Sequence, residues 1–153
     1  MSNELPPMTL KAIGIVRNEV KEVPPDRRDW WQEVVSEITI DSSLTEALDG
    51  LEEFSHIVVL FWFHKITSQE MPLKIHPMGR KERPLTGLFA TRTPNRPNRI
   101  GKATVRLLQR QGSILMVKGL DALDGTPVID IKPYLPGYDS AADTKVPQWV
   151  TNR

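Results

Sequence analysis

The chain has 153 residues, 39% of them apolar, and a net charge of +1, which fits one globular domain and excludes a disordered or polycationic chain. It contains no cysteine, so a disulfide framework, a thiolate nucleophile and a cysteine-based metal site are all excluded. No apolar run reaches the length of a membrane span, and Met1 to Leu10 lacks a secretory apolar core, so the cytoplasm is the expected compartment.

Leu10 to Val16 reads as a first strand, with Ile13 and Ile15 alternating against Gly14 and Val16. Glu22 to Asp29 is a charged, proline-containing loop, followed by the adjacent indoles Trp30 and Trp31 and then Gln32. Neighbouring strand residues face opposite ways, so one indole is available for stacking. Val34 to Ile40 is a half-buried strand that sets Val35, Ile38 and Ile40 against Ser36, Glu37 and Thr39. Ser43 and Glu46 form a capping-box pattern for a short helix that Gly50 would stop. Phe54 to Phe63 is continuously apolar after His56 and reads as a strand buried on both faces. Glu70 to Pro84 is a loop rich in proline and basic residues, and Leu88 to Thr91 a further short strand. Ala103 to Leu108 and Ile114 to Leu120 make a hairpin around Gln111 and Gly112, and Val128 to Ile131 is the last strand. Many short strands with proline and glycine connections predict a mainly β fold, a barrel or sandwich, with one or two short helices.

Charge is unevenly spread. Between Met71 and Leu120 the only acid is Glu82, whereas acids crowd Asp26 to Glu53 and Asp121 to Asp143. A basic face can therefore coexist with a near-neutral total, which suits local contact with phosphate. The most informative basic motif is TGLFATRTPNRPNRIG, Thr86 to Gly101. Pro94 and Pro97 forbid a regular helix there, so Arg92, Arg96 and Arg99 sit on a stiff loop suited to gripping an anion. His64 and Lys65 emerge directly from the buried run, and LDGT at Leu123 to Thr126 is a turn signal. Each of these also has a purely structural reading as a solvated turn or strand end. The chain carries no Rossmann glycine fingerprint, P-loop or zinc-protease helix.

In combination the motifs resemble the TsaA-like family, also called the tRNA methyltransferase O family, over nearly the full length. The matching stretches are AIGIVRNEV (Ala12 to Val20), LDGLEEFSHIVVLFWFHK (Leu48 to Lys65), HPMGR (His76 to Arg80), GLFATRTPNRPNRIG (Gly87 to Gly101) and GLDALDGTPVIDIKPYLPGYDS (Gly119 to Ser140). The resemblance implies one single-sheet β-barrel domain over residues 1–153 that uses S-adenosylmethionine. It implies N6 methylation of threonylcarbamoyladenosine at position 37 of tRNA, beside the anticodon, and a homodimer with the cofactor near the subunit boundary. Carried onto this chain, the cofactor positions fall on Trp31, Gln32, His64, Lys65, Arg92, Lys102, Leu123, Asp124, Gly125 and Thr126. Bacterial members often have a further C-terminal domain, while this chain stops at Arg153. The position after Asn98 is Arg99, where many relatives have proline.

On that resemblance, Arg92 is expected to hold the cofactor carboxylate or an RNA phosphate, and the Leu123 to Thr126 backbone to engage adenine. Asp124 is expected to accept from ribose or amine. His64 is the candidate base, with a role as hydrogen-bonding ligand the alternative. Arg80, Arg83, Arg96 and Arg99 are the candidates to meet the tRNA anticodon loop. Two other readings stay open: transfer to a small molecule, and a non-catalytic module that binds cofactor or RNA.

Overall fold

A computed structural model describes residues 4–25 and 29–151, so residues 26–28 of the expected Glu22 to Asp29 loop lie outside the described residues. Among the described residues eight strands form: β1 (Gly14–Arg17), β2 (Val35–Ile40), β3 (His56–Trp62), β4 (Lys74–Ile75), β5 (Thr86–Gly87), β6 (Ile100–Gln111), β7 (Ile114–Lys118) and β8 (Pro127–Pro133). Six of them close an antiparallel barrel in the order β1-β2-β7-β6-β3-β8, and β4 with β5 makes a separate two-stranded ladder. The mainly β, single-sheet barrel expected from the sequence is thus the observed architecture.

A barrel this small is filled by side chains. Val16, Ile38, Ile57, Val59, Phe61, Val105, Leu115, Val117 and Val128 all point inward and are at most 2% exposed. β-branched residues dominate because their stiff χ1 suits a pleated, buried surface. Each such side chain contributes about 1.5–3 kcal/mol of burial. β6 is long enough to serve two neighbours: Ile100 to Arg106 pairs with β3, and Arg106 to Gln111 with β7. A register shift between Leu107 and Gln109 lets the strand turn that corner.

Several local expectations are corrected. In β1 the inward residues are Gly14 and Val16, with Ile13 and Ile15 half-buried. In β2, Val35 is 45% exposed and Ser36 is 1% exposed, because Asn18 supplies the inward hydroxyl with a hydrogen bond (Nδ2 to Oγ, 2.9 Å). The short helix is a 3-10 stretch, Ser42–Leu48, capped by Asp41 rather than Ser43: the Asp41 carboxylate accepts from the Ser43 N–H. Gly50, at φ 92°, turns the chain into a second stretch, Leu51–Glu53. In β3 the inward face is fully buried, and outward Leu60 and Trp62 are half-buried. Leu88–Ala90 is a 3-10 turn, not a strand, because the pairing of β4 with β5 stops at Gly87.

Antiparallel order brings the C-terminal ends of β1, β3 and β7 and the N-terminal ends of β2, β6 and β8 to one rim. The loops leaving that rim carry most of the polar residues singled out from the sequence. Among the described residues, no helix is long and apolar enough to cross a membrane.

Candidate functional site

The rim holds a recess with two lobes. One, of about 150 Å³, is almost wholly apolar and is walled by Val23, Trp30, Phe63, Leu123 and Thr126, with His64 at its edge. The other, of about 460 Å³, mixes polar and apolar surface and is lined by Arg92, Arg96, Ile100, Gly101 and Lys102. Phe61, Phe63 and Asp121 line both, so they form the waist between the lobes. The two phenyl rings meet edge to face with centroids 5.3 Å apart, which gives the waist a rigid aromatic floor. Gly101 sits against them: a Cβ there would lie 2.5 Å from Phe61 Cε2 and 2.8 Å from Phe63 Cζ.

His64 is held by the turn after it in space. The Thr126 hydroxyl donates to the Leu123 carbonyl at 2.6 Å, so its oxygen is left to accept from His64 Nδ1 at 3.4 Å. That arrangement puts the imidazole proton on Nδ1 and leaves Nε2 with its lone pair. Gly125, at φ 85°, keeps the space beside Nε2 open. Burial lowers the His64 pKa from 6.5, Lys65 lowers it further, and Asp124 opposes them. At neutral pH the ring is uncharged and able to take a proton.

Lowering of this pKa has a stability consequence. The unfolded chain binds the imidazole proton more readily than the folded one, so the contribution of neutral His64 is complete above 6.5 and declines as pH falls toward the lower, folded value. Chemical denaturation between about pH 7.5 and pH 5.5 is expected to show a shallower loss of stability for His64→Asn than for the parent. Parallel profiles would show that the environment of His64 carries no such bias.

Both Asp124 oxygens already have a partner within the chain. Its Oδ1 accepts the Asn18 backbone N–H at 3.0 Å and its Oδ2 pairs with Lys21 Nζ at 2.6 Å. Its carboxyl pKa falls below 3.8 through Lys21 and then Asn18. Lys65 donates to the Lys21 carbonyl at 2.6 Å, which ties the same loop to the end of β3. The carboxylate in the recess is Asp121, which the sequence reading passed over. It is an exposed residue. Crowding by its neighbours still raises its carboxyl above 3.8, with Arg92 pulling it back.

The tryptophan expectation shifts by one residue. Trp30, 8% exposed, walls the apolar lobe, whereas Trp31 is half-buried outside it and its carbonyl closes the turn to Val34. Gln32 is exposed, with its carbonyl 3.8 Å from where a Cβ on Gly119 would stand.

The arginines divide by what they touch. Arg92 is exposed into the polar lobe beside Lys102. Arg96 Nη1 donates to the Thr91 and Thr93 carbonyls at 3.0 and 3.1 Å, and its guanidinium lies 6.0 Å from the Phe89 ring centroid, so it is held in place and still lines the lobe. Arg99 donates to the Ile66 carbonyl and, at 2.8 Å, to the Ser68 carbonyl, so its fork clamps a loop rather than facing solvent. Arg83 is 4% exposed with its guanidinium 5.5 Å from the Trp149 ring centroid, which removes it from the surface open to RNA. Arg80 remains half-exposed on the loop after the left-handed Met78 and Gly79.

The chain is thus a closed antiparallel barrel with an aromatic-floored recess at its rim, one lobe apolar and the other lined by cations. The chain belongs to the family of the tRNA-methyltransferase O N-terminal domain, whose model matches residues 17–140. It is 45% identical over 134 residues to a probable S-adenosyl-L-methionine-binding protein of Methanothermobacter thermautotrophicus, covering 86% of this chain and 93% of that protein. It is also 41% identical to a probable S-adenosyl-L-methionine-binding protein of Archaeoglobus fulgidus over 90% of this chain, but spans only 37% of that protein. A mouse protein named tRNA (adenine(37)-N6)-methyltransferase is 45% identical over 100 residues, 65% of this chain and 23% of its own length. A solved structure of TrmO superposes with a TM-score of 0.74 at 35% identity, over 92% of this chain and 63% of that one.

Proposed function

We propose that this protein binds S-adenosylmethionine in the two-lobed recess and methylates the N6 nitrogen of threonylcarbamoyladenosine at position 37 of tRNA. The observation that carries the reading is the polarity split of the recess. An apolar lobe walled by Trp30 and Phe63 suits adenine, and a polar lobe holding Arg92, Lys102 and Asp121 suits a group bearing both an anion and a cation. That is the chemistry of an adenosyl group joined to an amino acid. The names of the archaeal and mouse relatives support the cofactor and the acceptor class respectively.

Bound there, the cofactor supplies an electrophilic methyl group. The chain's own residues bind and orient, and positioning accounts for much of the rate in such a displacement. Arg92 takes the carboxylate of the amino-acid half. His64 Nε2 accepts the proton that the acceptor nitrogen gives up. Arg80 and Arg96 meet RNA phosphates beside the polar lobe. The acting species is a homodimer in the cytoplasm: Phe89, 78% exposed, and Ile100, 39% exposed, offer apolar surface by the recess that a second copy would cover. Sedimentation equilibrium checks that assembly.

The deciding experiment incubates the protein with bulk tRNA and cofactor, followed by nucleoside mass spectrometry. The expected result is the gain of one methyl mass on threonylcarbamoyladenosine. Arg92→Ala is expected to weaken cofactor affinity about tenfold in calorimetry, the scale of one charge-assisted contact at a partly open site. An unchanged affinity refutes the carboxylate role. The archaeal relative of matched length is named for binding alone, which favours a second reading, a cofactor-binding module without transfer. Cofactor binding with no methylated nucleoside would select it.

A further inference from the structure

We infer that Asp121 is the residue by which this protein distinguishes the cationic methyl donor from its neutral, demethylated product. The inference rests on the proposed seating of the cofactor in the recess. Asp121 lines both lobes, and among the described residues it is the only carboxylate that lines either. With adenosine in the apolar lobe and the amino acid in the polar one, the atom that joins the two halves is the sulfur. The waist where the lobes meet is formed by Asp121, Phe61 and Phe63. Before transfer that sulfur is a sulfonium. When the methyl–sulfur bond breaks, its electron pair stays on sulfur and leaves a neutral thioether, while the acceptor nitrogen forms the new bond and loses its proton.

A carboxylate beside the sulfonium attracts the donor and gains nothing from the product. Two aromatic rings act in the same sense, since their faces attract cations and are indifferent to a thioether. Asp124, three residues on, lines neither lobe, and its oxygens are engaged by Lys21 and Asn18. Arg92 and Lys102 line the polar lobe together with Asp121, so the carboxylate also offsets their positive charge there.

The test is calorimetry with three ligands on the parent, Asp121→Asn and Asp121→Glu. The ligands are S-adenosylmethionine, S-adenosylhomocysteine and sinefungin, in which a carbon replaces the sulfur and an ammonium stands where the donor carries its methyl group, one bond from the sulfonium position. Asp121→Asn is expected to reduce the preference for the donor over the thioether about three- to tenfold, with sinefungin following the donor. Asp121→Glu keeps the charge and is expected to retain most of the preference. Equal weakening for all three ligands would place Asp121 on the shared amino-acid ammonium and overturn the inference, as would an unchanged ratio. A parent protein that binds none of the three fails earlier and refutes the cofactor reading itself. Thermal melts of both variants, each isosteric or charge-conserving at a partly open position, confirm that the fold is intact.

Discussion

Gly101→Ala is expected to unseat the floor of the recess and to cost both stability and cofactor affinity. The reason is space rather than backbone conformation. An added methyl would stand 2.5 and 2.6 Å from Phe61 Cε2 and Cζ and 2.8 Å from Phe63 Cζ, closer than packed carbon atoms can come. Phe61 is 2% exposed and locked in the core, so its ring has nowhere to turn without disturbing Val59, Val128 and their neighbours. Overpacking of this kind costs about 1–3 kcal/mol. For a chain of this size that lowers the melting temperature on the order of 5 °C. Affinity for S-adenosylmethionine is expected to fall more than about tenfold, because the waist rings are the ones displaced. Gly87→Ala is the control: a Cβ there meets nothing within 4 Å and is expected to change neither quantity. A Gly101→Ala protein that melts and binds like the parent would show that the barrel rim yields far more than its packing indicates.

Much of the architecture could be read from the sequence because alternation and turn chemistry are local. The buried run through β3 announces a strand whatever its partners are, and the Gln111-Gly112 signal sits at the β6–β7 hairpin, where Gly112 takes a φ of 60°. What failed locally failed for long-range reasons. Ser36 looked like an outward residue of β2 because serine is polar, and its burial is explained by Asn18, just past the end of β1. The run Leu88 to Ala90 looked like a strand by composition, yet it lacks a partner edge and tightens into a 3-10 turn.

The site was legible as a set of loops and not as a set of atoms. Two aspartates stand three residues apart in GLDALDGT, and sequence alone gives no ground for choosing between them. The choice is made by Lys21 and Asn18, more than 100 residues away, which capture Asp124 and leave Asp121 in the recess. The same holds for Arg99, whose acceptors lie on a loop about 30 residues earlier in the chain. Trp30 and Trp31 differ only in which way the turn after residue 29 faces them. Residue type found the neighbourhood, and backbone routing decided which member of each pair lines the recess.

Asn18→Ala is the second change expected to have a large effect, through a residue that touches neither lobe. The Asn18 amide donates to Ser36 Oγ and to the Ala122 carbonyl, each at 2.9 Å, and its Oδ1 accepts the Val20 N–H at 2.9 Å. Three segments therefore meet on one side chain: the end of β1, the start of β2 and the turn that carries Asp121 and Leu123. Truncation strips a buried hydroxyl of its donor and frees the turn, at an expected cost of about 2–4 kcal/mol. Pairing it with Ser36→Ala separates the two effects. Removing both partners of a buried hydrogen bond is cheaper than removing one, so the second substitution should restore part of the stability. It should not restore cofactor affinity, because the Ala122 carbonyl still lacks its donor and the turn stays loose. Full recovery of affinity in the double variant would mean that Asn18 acts only through packing at β2. A single variant with parental stability would mean that the turn is fixed by Lys21 and Asp124 alone.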